Sequence, residues 1–206
     1  MKDESARYPR QRQRARVPRP PPSPLTNQRL NEMALAYVAR FATTARKLHD
    51  YCRRKLRERG LAEGEETPDI DALVAKFVAN GWVNDEEFAR AKSGSLLRRG
   101  YGGRRVNAAL DAAGVAAGDR AGIAPGEARA AALRMAEKKH FGPFARDGVP
   151  PADRAVREKQ VAAMLRAGHS LDSARNLVDA SDMESARDWA SALDDGVDGP
   201  VHSFED

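Results

Sequence analysis

Residues 82–115 read WVNDEEFARAKSGSLLRRGYGGRRVNAALDAAGV, and this stretch decides the fold. It predicts two helices joined by a glycine turn. Asn84 is a cap residue followed by Asp85, with Glu87 three positions on as its reciprocal partner. Val83 before the cap and Phe88 at the fourth helical position are spaced for a hydrophobic staple. The first helix should stop at Gly100, and the second should start after Gly102-Gly103 and end at Gly114. Arg98, Arg99, Arg104 and Arg105 bracket the turn around Tyr101. Nothing in the stretch has the character of a nucleophile or a metal ligand.

Composition agrees with a helical chain. Of 206 residues, 41% are apolar and 6% aromatic, with Ala, Arg and Leu abundant and β-branched residues few. The expected fold class is all-α. A run of 18 apolar residues is absent, so no membrane span is expected, and the basic N-terminus lacks the apolar core of a secretory signal. The single Cys52 excludes an internal disulfide, and His49, His140, His169 and His202 have no ligand spacing. These features predict a cytoplasmic monomer without metal or other cofactor.

The net charge of +5 is unevenly placed. Residues 1–24 carry Lys2 and six arginines against Asp3 and Glu4, a net +5, so the remainder is neutral with 28 charges of each sign. Nine acids stand against the lone Arg187 between Asp179 and Asp206. Residues 1–26 therefore read as a disordered Arg/Pro-rich tail, with polyproline II character around Pro18 to Pro24. Its arginines suit weak, salt-sensitive contacts with an anionic partner. Residues 182–206 read as an acidic tail.

Between the tails, apolar spacing predicts further helices. One starts at Asn27 and carries Leu30, Met33, Ala34, Tyr37, Val38 and Phe41. A second is capped by Thr43 or Thr44, carries Leu48, Tyr51, Cys52 and Leu56, and stops at Gly60. A third has Thr67 as its cap with Pro68 in the first position. Weak helix is expected between Ala116 and Ile123, where Gly118 and Gly122 oppose it. Helices follow over Gly126 to His140 and from about Ala152 to Ala167, and a last one follows Ser170 with Leu171, Ala174, Leu177 and Val178. Leu56-Gly60, Leu110-Gly114 and Met164-Gly168 each place an apolar residue four before a glycine, and the glycines are 54 residues apart. That periodicity predicts three tandem three-helix repeats, at about 27–81, 82–124 and 125–181, stacked into an elongated array.

The chain resembles the RecX family of bacterial recombinase regulators. The resemblance is carried by Lys55-Leu56-Arg57-Glu58-Arg59-Gly60, by Gly81-Trp82-Val83-Asn84-Asp85-Glu86-Glu87-Phe88-Ala89-Arg90, by Arg98-Arg99-Gly100-Tyr101-Gly102-Gly103-Arg104-Arg105-Val106, and by Leu165-Arg166-Ala167-Gly168-His169-Ser170. It implies a crescent of three three-helix repeats that binds the RecA filament and restrains its ATPase and strand-exchange activities. It also implies a role in homologous recombination, DNA repair and the SOS response. Some members bind single- or double-stranded DNA as well. His169 departs from the family, which usually has an aromatic residue after that glycine.

Candidate partner-binding residues are Arg98, Arg99, Tyr101, Arg104, Arg105, Arg54 and Arg57. An arginine's planar fork suits both phosphate and carboxylate. The competing reading is a solvated charged face, with Tyr101 plugging the turn. Asn84, Asp85, Glu87, Phe88, Gly100, Gly102, Gly60, Gly114 and Gly168 are the candidate structural positions, and Trp82 is expected beneath a repeat junction. No pair of carboxylates is placed for acid–base work, so the expected function is regulatory. Direct nucleic-acid binding through helix-turn-helix-like units and the basic tail is the alternative.

Overall fold

The computed structural model describes residues 23–192. The polyproline stretch lies largely outside this range, as does most of the acidic tail. Nine α-helices are present among the described residues: α1 (Asn27–Arg40), α2 (Ala45–Arg59), α3 (Ile70–Ala79), α4 (Asp85–Arg98), α5 (Gly103–Asp111), α6 (Pro125–Lys139), α7 (Arg154–Arg166), α8 (Leu171–Val178) and α9 (Met183–Ser191). There is no named strand among these residues, and the fold is all-α. No helix among them is long and apolar enough to cross a membrane.

Helix ends follow their local chemistry. Thr44, Asn84 and Ser170 each accept a backbone N–H three residues on, which satisfies a donor the helix leaves unpaired. Asn84 caps α4 through the Glu87 N–H at 2.9 Å, but no bond returns from the Glu87 side chain, so only half of the reciprocal box forms. Val83 packs in the N-terminal cluster of buried side chains, whereas Phe88 packs against the middle one. The third helix starts two residues later than expected. Asp69, not Thr67, caps it by accepting from Ala72 N, because a carboxylate at this position also favours the helix dipole.

Leu25 and Thr26 belong to the fold, not to the tail. Leu25 is fully buried and exchanges backbone hydrogen bonds with the chain after α2: it donates to Gly60 O and accepts from Ala62 N. The segment between Ala116 and Ile123 forms a single 3-10 turn, Ala117–Asp119, because it offers no apolar stripe to bury. At the other end the helical region runs past residue 181. Asp182 caps α9, and Ala186 and Ala190 are buried. Alanines fill such a contact with little outward hydrophobic signal in the sequence.

Three clusters of buried side chains follow one another along the chain. The first centres on Leu30, Leu48, Cys52 and Phe77, the second on Leu96, Leu97, Val106 and Leu110, and the third on Met164, Leu177 and Val178. Each fully buried Leu or Phe contributes roughly 1.5–3 kcal/mol of transfer free energy. α6 touches two clusters, presenting Ala131 to the middle one and Ala132 and Ala136 to the last. Its small side chains let α8 and α9 approach closely.

The helix order is consistent with tandem units, and three helix pairs share one register. α1–α2, α4–α5 and α7–α8 are equivalent pairs: each second helix takes its cap four residues after the first helix ends, at Thr44, Gly102 and Ser170. A third helix follows each pair: α3, α6 and α9. The 54-residue glycine spacing does not mark equivalent ends. Gly60 and Gly114 follow second helices, whereas Gly168 follows α7, a first helix. Gly168 is the counterpart of Gly100.

The first two pairs are stitched at one point. Thr44 Oγ1 donates to Ala113 O at 2.6 Å, and Asp85 Oδ1 accepts from Ala45 N at 2.8 Å. Asp85 thus caps α2 from the neighbouring helix set, while Asn84 beside it caps α4. Replacing Asp85 by Ala should lower unfolding free energy by about 1–2 kcal/mol in urea titrations, the worth of a partly buried charge-assisted bond. A midpoint equal to that of the native chain would deny the stitch any weight.

Candidate partner-binding surface

The α4–α5 turn is built from crossed backbone bonds. Gly100 N donates to Leu97 O, and Tyr101 N donates to Leu96 O, with Gly100 in the left-handed region at φ 84°. The same pattern closes α7: Gly168 N donates to Leu165 O and His169 N to Met164 O, with Gly168 at φ 96°. It also closes α3, which explains Trp82. Its ring stacks edge-on against Phe77 at 5.1 Å, the hydrophobic contact usual for this cap, and it remains 49% exposed rather than sitting beneath a junction.

The two turns dock backbone to backbone. Gly102 N donates to Ala167 O at 3.0 Å, and Arg104 N to Gly168 O at 3.1 Å. His169 Nε2 lies 3.0 Å from Gly100 O, and Arg104 Nη2 donates to His169 O at 2.7 Å. There is no room for a side chain at either glycine. A Cβ on Gly102 would lie 2.4 Å from Gly168 O, and one on Gly168 would lie 2.4 Å from Arg105 N.

His169 is only 3% exposed, and burial holds its imidazole below the usual histidine range against the opposing effect of the Gly100 hydrogen bond. A depressed folded-state value means that the neutral ring stabilises the fold. This contribution is complete above the unfolded value near 6.5 and is lost as pH falls towards the folded value. Thermal midpoints should therefore drop between pH 7.5 and pH 5 by more in the native chain than in His169→Phe. Equal drops in the two proteins would remove His169 from that pH dependence.

The predicted arginines separate into distinct roles. Arg98, Arg99 and Arg105 are exposed and form no ion pair among the described residues. Arg99 and Arg105 hold their guanidinium groups 5.3 and 5.9 Å from the Tyr101 ring centroid, and Tyr101 is half-buried against the middle cluster. The ring thus plugs the turn and also props up two cations. Arg104 is tied to the α7–α8 turn. Arg54 pairs with Glu58 at 3.6 Å and lies 5.6 Å from the Tyr51 ring centroid, on α2, with Arg57 exposed nearby. No hydrogen bond or ion pair among the described residues joins this pair to the turn.

Beside the docked turns lies a groove of about 1040 Å³. Among the described residues its walls include Arg104, Arg120 and Arg166 and no acidic residue. The sequence reading missed Arg120 and Arg166. Comparing Arg99-Gly100-Tyr101-Gly102 with Ala167-Gly168-His169-Ser170, instead of matching glycines by spacing, would have placed Arg166 beside the turn.

No protein-family model matches the chain. The regulatory protein RecX of Myxococcus xanthus (strain DK1622) is 33% identical over 161 residues, covering 74% of this chain and 85% of that protein. The chain belongs to the RecX family. That relative is named a regulatory protein, not an enzyme, and a regulatory role for this chain follows. The surface is basic, with Arg98, Arg99 and Arg105 exposed beside the Tyr101 turn.

Proposed function

We propose that the chain binds the RecA recombinase filament and restrains its ATPase and strand-exchange activities, without chemistry of its own. The observation that carries this reading is the set of three exposed arginines beside the Tyr101 turn, without an ion pair among the described residues, in a RecX-family chain whose relative is a regulatory protein. Tyr101 props the Arg99 and Arg105 cations, so less side-chain entropy is lost when an acidic surface docks on them. The units making the array are α1–α3, α4–α6 and α7–α9, and the crescent they form presents the turn to the filament. The site of action is the cytoplasm, in homologous recombination and DNA repair.

The test is anisotropy of the labelled chain titrated with RecA assembled on single-stranded DNA. Saturable binding that exceeds binding to the DNA alone is expected; equal binding to bare DNA would favour the second reading. That reading, direct nucleic-acid binding, is favoured by the three helix–turn–helix pairs and the arginines of residues 1–24. Against it, residues 25–206 carry no net charge. Deleting residues 1–24 should flatten the salt dependence of any DNA binding, and an unchanged slope would clear the tail of that role.

A further inference from the structure

The groove between α5 and α8 is lined by both basic and apolar side chains. Arg104 and Arg166 line it, as do Ile123, Leu165 and Leu171, Leu171 being 46% exposed. Arg120 is already countered by Asp111 at 2.7 Å, but Arg166 has no ion pair among the described residues. The groove therefore fits an acidic segment with interspersed apolar side chains.

The chain carries such a segment. Residues 193–206 read LDDGVDGPVHSFED, with five carboxylates, no Lys or Arg, and Leu193, Val197, Val201 and Phe204 between them. It also starts in the right place. Trp189 O, near the end of α9, accepts from Arg129 Nη1 at 2.8 Å, and Arg129 lies 4.5 Å from the Trp189 ring centroid. Ala128, one residue before Arg129, lines the groove. A segment of this length reaches roughly 46–50 Å when extended, ample to run along the groove from there.

We propose that residues 193–206 lie in this groove, their carboxylates against Arg104 and Arg166 and their apolar side chains on Ile123, Leu165 and Leu171. Held by its own chain, the segment acts at high effective concentration, so an anionic ligand of the same groove must displace it. This docking is a property of the chain alone and does not depend on RecA binding.

The test uses the full chain with Ser203→Cys carrying a nitroxide. Cys52 does not compete for the label, since it is fully buried and burial pushes its thiol up to about 11. The amide signals of Gly122, Ile123 and Leu171 should lose most of their intensity relative to the reduced label, equally at low and high protein concentration. Both Arg166→Glu and the triple change Asp194→Asn, Asp195→Asn, Asp198→Asn should restore them; Arg166 is exposed and makes no ion pair among the described residues. Full intensity in the labelled native chain would overturn the proposal. So would broadening confined to α2 near Arg54 and Arg57, and so would broadening that grows with concentration, which assigns the groove to a second copy.

Discussion

Replacing Gly168 by alanine should destabilise the chain by about 2–4 kcal/mol, the combined cost of overpacking and of a side chain at positive φ. The added Cβ meets Arg105 N at 2.4 Å and Gly102 O at 3.0 Å, both backbone atoms that cannot swing aside. Gly168 also sits at φ 96°, where an alanine is strained whatever the space. Gly102→Ala tests the same contact from the other side without the positive φ, since its Cβ would meet Gly168 O at 2.4 Å. Both variants force the two turns apart and break the bonds between Gly102 N and Ala167 O and between Arg104 N and Gly168 O. Gly118→Ala and Gly122→Ala are the controls. Neither Cβ would meet an atom within 4 Å, and both should stay within about 0.5 kcal/mol of the native chain. Urea titration followed by circular dichroism reads all four. Equal midpoints for Gly168→Ala and Gly118→Ala would mean that the turns do not dock.

The second large effect concerns binding. Arg98→Glu, Arg99→Glu and Arg105→Glu combined should weaken binding to the recombinase filament on the order of ten- to a hundred-fold, with the loss shrinking at high salt. The three side chains make no ion pair among the described residues, so the helical signal and urea midpoint should hold. Arg104 is left out deliberately. Its guanidinium donates to His169 O, so Arg104→Ala would mix a contact effect with loosening of the turns. The matching change on α2, Arg54→Glu with Arg57→Glu, separates the two basic surfaces. A filament affinity that falls for the α2 variant and not for the turn variant would move the contact to α2.

The fold was legible where the local code was dense. Asn84 with Glu87, Gly100 after Arg99 and the 82–115 spacing identify α4 and α5 from sequence alone. Thr44, Ser170 and Gly60 set ends correctly for the same reason: caps and left-handed glycines act over a few residues. Three things were hidden. α9 was read as tail because Ala186 and Ala190 bury small surfaces that leave no strong apolar stripe. The glycine spacing misled because equal distance along the chain is not equal place in a unit, and Gly168 answers to Gly100 rather than to Gly114. The docking of the two turns was invisible because it is made by backbone atoms, with the absence of a side chain at Gly102 and Gly168 as its signature. Of the candidate contacts, the arginine cluster could be found from sequence. Its division into three free cations and one structural arginine could not, since that division depends on His169, 65 residues further on.

Restraint of the recombinase through the basic turn is tested most directly by the effect of the chain on ATP hydrolysis. RecA assembled on single-stranded DNA is titrated with the full chain, and in parallel with the triple Arg98→Glu, Arg99→Glu, Arg105→Glu variant. The native chain should lower the hydrolysis rate in a saturable way, and the variant should need a much higher concentration for the same effect. Hydrolysis that stays constant at every ratio of native chain to recombinase would contradict the account.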